Sequence, residues 1–364
     1  MIKRIEKLRK EFKKVGIDAL FVTNHNNVTY LTGFLGLSKD EREGFLLITR
    51  NNGYLLTFPT YFGLYKKRGE GFNVLNITYK KRFHHHLNEI IDKEKIKTLG
   101  VEKESLTISE SASLRKKLKV RFRQTESLVE NLRLIKEEKE IASLKKAAKI
   151  ADSAFEFIRQ KIKKGVSEKE LALELEFFIK RKADDIAFSP IVAFNQNTAI
   201  PHYLPSNTYH LKPNTLILLD FGAKVNGYCS DMTRVLFFGK PKNHQIKTYL
   251  TVLRTQELAL KKLKAGLKSD ILDKLAKKFL RSQGYPEYQH GLGHGVGLSI
   301  HEDPRLKKGN SVLLKENMVV TIEPGVYFEG QYGIRIEDLV VLRKEGIEIL
   351  SKSSKKLESV ILRR

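Results

Sequence analysis

The 364 residues carry 41% apolar and 30% charged side chains and a formal net charge of +25 at pH 7. That length gives two or three domains with room for sizeable cores, and the composition is that of an ordinary globular chain. No apolar run reaches the roughly 18 residues of a membrane span, and with Cys229 as the single cysteine no intrachain disulfide can form.

The opening stretch MIKRIEKLRKEFKKVGIDAL lacks the apolar core and cleavage site of a signal peptide. Its Ile2, Ile5, Leu8, Phe12 and Val15 recur at helical spacing instead. Cytoplasmic residence is expected. The strands ALFVT (19–23), FLLIT (45–49) and YLLTF (54–58) follow, the last two joined by the turn signal NNG. A helix near 83–95 and the strand TLGVE (98–102) complete an alternating α/β module over residues 1–128. The run His84-His85-His86 is expected on the solvated face of its helix.

Residues 129–364 form a second domain. A long helix runs from near Lys136 to about Lys164, with Ile141, Leu144, Ala148, Ile150, Ala151 and Phe155 apolar. Ser167 caps the next helix, with Glu170 at the capping-box spacing. Lysine-rich runs such as 144–149, 261–268 and 274–278 read as solvated helix faces. Without an arginine-rich arm or aromatic–basic alternation, the charge does not point to nucleic acid.

The texture then turns to glycine and short strands. TLILLDFGAKVNGYCSDMTRVLFF (215–238) reads as a hairpin. With the loop at 224–227, Asp220 faces Asp231. With a two-residue loop at Asn226-Gly227 they are diagonal neighbours. Both registers put them on one face. TIEPGVYFEGQYGIRIEDLVV (321–341) repeats the pattern about Gly330 and places Glu323 opposite Glu337, with room for a bulge at Tyr332-Gly333. A helix at about 269–282 precedes this hairpin as the helix at 167–183 precedes the first, so an architectural repeat is expected.

Opposed like charges destabilise a sheet, and half-buried carboxylates seek a proton or a cation. Two such pairs in one domain fit a divalent cation: Mn²⁺ or Co²⁺, with Zn²⁺ and Fe²⁺ as further options. HGLGHGVGLSIHEDP (290–304) lies between the hairpins and supplies His294 as a fifth ligand candidate. His290 and His301 are left for supporting work, and His202 sits in the loop AIPHYLP (199–205). Cys229 is expected to pack beside the site, and His25, His210 and His244 to be structural.

GYCSDMTR, HGLGHGVGLSIHEDP, TIEPGVY and GIRIED resemble the metallopeptidases of the pita-bread fold, and among them the Xaa-Pro peptidases prolidase and aminopeptidase P. GIDALFVTNHNNVTYLTGF (16–34) resembles the creatinase-type N-domain, and LRLIKEEKEIASLKKAAKIAD (132–152) the helix leading into the catalytic domain. The resemblance covers nearly the whole chain. It implies an α+β architecture in which a duplicated, antiparallel-sheet catalytic domain follows a smaller α/β domain.

It further implies two metal ions: Asp220 on one, His294 and Glu323 on the other, Asp231 and Glu337 bridging. His202, His290 and His301 match the family's substrate-contacting histidines, and Arg335 its arginine beside the last ligand. The implied chemistry is attack on the Xaa-Pro bond by a hydroxide generated between two cations. Glu323 moves the proton, His301 or His202 steadies the oxyanion, and His290 and Arg335 lie near the leaving side. A dipeptidase is favoured, with an aminopeptidase on longer peptides as the alternative. A non-enzymatic binding module on the same fold is the second alternative. A homodimer is implied by the family alone. Related N-domains often carry an acidic residue in an Asp-x-Arg-Tyr strand. The corresponding stretch here, TFPTYFGLYKK (57–67), lacks it.

Overall fold

The computed structural model describes residues 2–37, 41–68 and 71–362. The chain divides into two compact units, Met1–Arg133 and Leu134–Arg364. Among the described residues no helix is long and apolar enough to cross a membrane.

In chain order the first unit contains α1 (Ile2–Val15), β1 (Ala19–Val22), α2 (His25–Thr32), β2 (Gly44–Thr49), β3 (Gly53–Thr57), α3 (Pro59–Arg68) and β4 (Asn73–Asn76). It continues with α4 (Phe83–Glu94), β5 (Thr98–Glu102), α5 (Ile108–Lys117), β6 (Arg121–Thr125) and α6 (Glu130–Arg133). One mixed sheet, ordered β4-β3-β2-β1-β5-β6, carries the core. The helix periodicity of the first fifteen residues is real: Ile5, Leu8 and Phe12 are buried. TFPTYFGLYKK ends a strand and becomes helix α3. His86 departs from expectation. It is buried, with Nε2 at 2.9 Å from Asn76 O, because its position on α4 falls beside Leu87 and Ile90 on the core side.

The second unit begins with α7 (Glu138–Lys161) and α8 (Glu168–Lys182), followed by β7 (Asp185–Ile186) and β8 (Ile191–Phe194). Next come β9 (Thr215–Phe221), β10 (Ala223–Val225), β11 (Tyr228–Cys229) and β12 (Met232–Phe238). The second half repeats the order: α9 (Asn243–Lys262), α10 (Ser269–Ser282), β13 (Gly293–Gly295), β14 (Glu302–Leu306), β15 (Val319–Ile322), β16 (Gly325–Phe328), β17 (Tyr332–Arg335), β18 (Asp338–Arg343) and β19 (Gly346–Ile349), with β20 (Ile361–Leu362) near the end. The Ser167–Glu170 capping box starts α8 as its spacing requires, with Glu170 N bonded to Ser167 Oγ at 3.1 Å.

Each half thus delivers a helix pair and then a long hairpin interrupted in the middle. The first hairpin pairs Thr233 with Asp220 and Lys224 with Cys229. Its loop is therefore the two-residue one, and Asn226 (φ 50°) and Gly227 (φ 81°) both take the left-handed conformation of a type I′ turn. The second pairs Ile322 with Asp338 and Gly325 with Arg335. Continuing that register puts Glu323 opposite Glu337, and Tyr332-Gly333 pair without a bulge. β9 and β12 lie in a four-stranded sheet with β8 and β20, and β15 and β18 in a five-stranded sheet with β13, β14 and β19. One apolar cluster from Ala147 to Leu362 fills the space between these sheets and the helices.

Candidate metal centre

Strand alternation aims the acidic residues. Asp220 is the penultimate residue of β9, while Asp231, Glu323 and Glu337 sit at the breaks where each hairpin passes from one sheet to another. His294 lies in the middle of β13, whose neighbours must be glycines: a Cβ on Gly293 would overlap the Thr321 carbonyl oxygen. Asp231, His294 and Glu337 are buried, and each offers a ligand atom within 4.8 Å of the other two. His294 Nε2 lies 3.6 Å from Asp231 Oδ2 and 3.4 Å from Glu323 Oε1. Asp220 is joined to the group through Arg335, whose Nη2 donates to Asp220 Oδ2 at 2.6 Å. Of the five residues named from the sequence, Asp231, His294 and Glu337 converge within ligand reach, Glu323 lies against His294, and Asp220 lines the same cleft in the grip of Arg335.

The electrostatics are those of a site short of positive charge. Burial first, then Glu337, Asp220 and Glu323, push the Asp231 carboxyl well above its usual range. Glu337 is raised by burial and by Glu323 and Asp220. Glu323 is pushed up to about 7, chiefly by burial, with Arg335 opposing. Burial, with His301 beside it, holds His294 down at about 3, so its ring is neutral. Its single proton sits on Nδ1, which faces Gly295 O at 3.1 Å, and that leaves the Nε2 lone pair aimed at the carboxylates. Asp220 Oδ1 is buried with no hydrogen-bond partner. A lone pair facing carboxylate oxygens and an orphaned carboxylate oxygen are what a mixed oxygen and nitrogen cation site needs, so these residues fit divalent ions.

Supporting groups fix the rest. Thr233 Oγ1 donates to Glu337 Oε2 at 2.7 Å and accepts from Arg335 Nε at 3.0 Å. Tyr327 Oη accepts from Arg335 Nη1 at 3.0 Å and donates to His290 Nε2 at 3.0 Å, while His290 Nδ1 faces Gly291 O at 2.7 Å. His290 is thereby held, both nitrogens engaged and its pKa lowered to about 4 by burial and Arg335. Thr233 and Tyr327 share alternation parity with Asp231 and Glu323, and that period of two is the signal by which sequence reading could have found them.

A cleft of about 730 Å³ opens over the cluster. His202 and His301 line it as exposed rings, along with Phe188, Leu204, Arg305 and Lys307. The His301 ring stands edge-on to His294, with centroids 4.4 Å apart. The loop bearing His202 is anchored from below by the buried Glu168, which accepts from Phe194 N at 2.7 Å, Asn197 Nδ2 at 2.9 Å and Tyr203 Oη at 2.8 Å. Cys229 is buried outside this lining, its Sγ 3.9 Å from Leu298 O. The His244 ring packs tilted against Tyr332, centroids 5.4 Å apart, and His210 forms a backbone bridge with Ser167; neither belongs to the lining of the cleft.

Residues 142–344 match metallopeptidase family M24, and residues 4–135 match the creatinase/prolidase N-terminal domain. The Xaa-Pro dipeptidase of Pyrococcus horikoshii is 33% identical over 98% of this chain and 99% of its own. Among solved structures, an Xaa-Pro dipeptidase from Bacillus anthracis superposes with a TM-score of 0.93 at 36% identity, covering 99% of both chains. An X-Pro aminopeptidase from Thermotoga maritima superposes at 0.88 and 34% identity, covering 97% of this chain and all of its own.

Proposed function

Since the chain belongs to metallopeptidase family M24 and carries a creatinase/prolidase N-terminal domain, we propose that it hydrolyses the bond between a residue and a following proline, acting on dipeptides as a prolidase. The observation that carries this reading is the convergence of Asp231, His294 and Glu337 beneath a cleft rimmed by His202 and His301.

Two divalent ions, manganese or cobalt by the oxygen-rich donor set, would be held by Asp220 on one side and by His294 with Glu323 on the other. Asp231 and Glu337 would be shared between them. When bound, such ions lower the pKa of water to about 7 and polarise the scissile carbonyl.

Glu323, whose Oε1 lies 3.4 Å from His294 Nε2 on the floor of the cleft, takes the proton from water and returns it to the leaving nitrogen. His301, whose pKa is lowered by desolvation within the cleft and by Arg305, stays neutral and donates an N–H to the reacting carbonyl oxygen, as does His202 in the same cleft. The proline nitrogen carries no N–H in the substrate, so the ring is recognised by the shape of the wall that His290 and Tyr327 hold in place.

Arg305 and Lys307 line the same cleft. Two cations there suit the free carboxylate of a dipeptide, where a longer peptide would present an uncharged amide. Cleavage of Xaa-Pro and Xaa-Pro-Yaa by the Mn²⁺- and Co²⁺-loaded protein tests this. A higher kcat/KM on the dipeptide is expected, and faster cleavage of the tripeptide would favour an Xaa-Pro aminopeptidase.

A further inference from the structure

The hairpin ladder is interrupted where Glu323 and Glu337 project. Glu323 N donates to Leu292 O at 2.8 Å and Glu337 N to Thr233 O at 3.2 Å, both outside the hairpin, and Pro324 has no N–H to give. The carbonyls just before the two carboxylates, Ile322 O and Ile336 O, lie in the apolar core and need donors. Gln256, fully buried on α9, supplies both: its Nε2 donates to Ile322 O at 3.0 Å and to Ile336 O at 3.2 Å. A side-chain amide nitrogen has two hydrogens, one for each carbonyl.

The other end of the amide is also spoken for. Gln256 Oε1 accepts from Lys355 Nζ at 2.8 Å. Lys355 pairs with Asp338, which Arg234 holds at 2.7 Å, and Arg234 also donates to Glu337 O. These partners leave the amide one orientation, with nitrogen toward the hairpin.

The geometry points to Gln256 as a positioning residue of the metal centre, a single amide that clamps both strands of the second hairpin and keeps Glu323 and Glu337 at an ion-sharing separation. This rests on the metal-centre reading proposed above. The clamp lies behind the carboxylates, touching neither ions nor substrate, and acts through the backbone that carries them.

The test is a calorimetric Mn²⁺ titration of the metal-free protein, with thermal unfolding in chelator measured alongside, for wild type, Gln256→Met, Lys355→Met and Val252→Ala. Gln256→Met keeps the side chain's length and removes both donors. It is expected to weaken Mn²⁺ binding by about 10–100-fold, the range for outer partners of metal ligands. Lys355→Met removes the group that orients the amide and is expected to weaken binding less, in the same direction; it decides the matter if Gln256→Met does not fold. Val252→Ala opens a cavity on the same helix and is expected to lower the melting temperature with Mn²⁺ affinity kept. Wild-type affinity in a folded Gln256→Met, or in Lys355→Met where that variant stands in, overturns the clamp, and so does an equal loss of affinity in Val252→Ala. Failure of wild type to take up Mn²⁺ overturns the underlying metal reading instead.

Discussion

Both units bury carboxylates, and they treat them in opposite ways. In the first unit Glu102 accepts from Thr23 N at 2.7 Å, Asn24 N at 2.8 Å and Asn27 Nδ2 at 2.7 Å. Asn27 in turn donates to Glu130 at 2.6 Å and accepts from Arg133 at 2.9 Å. Both Glu102 oxygens are served by donors. In the second unit, Asp231 and Glu323 face a histidine lone pair, and Asp220 keeps a buried oxygen with no partner. Burial raises the pKa of Glu102 as it raises those of Asp231 and Glu337. What separates a structural carboxylate from a ligand is therefore not burial or pKa but the supply of donors.

The largest effect follows from removing a shared ligand. Asp231→Asn is expected to abolish Xaa-Pro cleavage and lower metal occupancy together, by more than the roughly 100-fold that outer partners command. An active, metal-replete variant, measured by turnover and elemental analysis, would erase the distinction between the two regions.

Ion binding should next separate them by pH. The Glu323 carboxyl is raised from 4.5 to about 7 in the folded chain. A raised folded value means its contribution to stability is present below pH 4.5 and lost as pH rises through about 7. The metal-free protein should therefore lose stability across that window. Mn²⁺ at 100 times its Kd at pH 8 should restore about 2.7 kcal/mol there, and the same concentration should restore less at pH 5, because the ligands must be deprotonated to bind. Melting curves with Mn²⁺ and with chelator at both pH values measure this, and a pH-independent shift would count against these carboxylates as ligands.

Glu102→Gln should do the reverse. It sets an amide N–H against the Asn27 donor, costs about 1–3 kcal/mol of stability in urea unfolding, and leaves the Mn²⁺ response as in wild type. Glu168 stands between the two cases: donors satisfy it, yet it supports the loop carrying His202. Glu168→Gln should raise KM several-fold, about 1 kcal/mol of binding, with Mn²⁺ affinity retained; a loss confined to kcat would refute the loop role.

The residue types and the period of two made the acidic hairpins legible before any fold was known, and for the second hairpin they gave its register. The first hairpin left two registers open because Lys224–Gly227 and Asn226-Gly227 both make acceptable turns; the left-handed pair Asn226-Gly227 resolves it. Helices α2 and α3 escaped notice because each is short and weakly amphipathic, so packing rather than pattern makes them. His86 was misplaced because three consecutive histidines carry no information about which points inward. Gln256 could not be found at all: a polar residue on a lysine-rich helix gains its meaning only from two carbonyls 66 and 80 residues away.

The central claim is that Asp220, Asp231, His294, Glu323 and Glu337 hold the ions that drive Xaa-Pro cleavage. Chelator-stripped protein, given Mn²⁺ stepwise while bound ions and hydrolysis of an Xaa-Pro dipeptide are followed in the same samples, tests it most directly. Activity that is absent without metal and rises as two ions fill each chain is the expected result. Full activity in chelator, or ion uptake with no gain in cleavage, would contradict it.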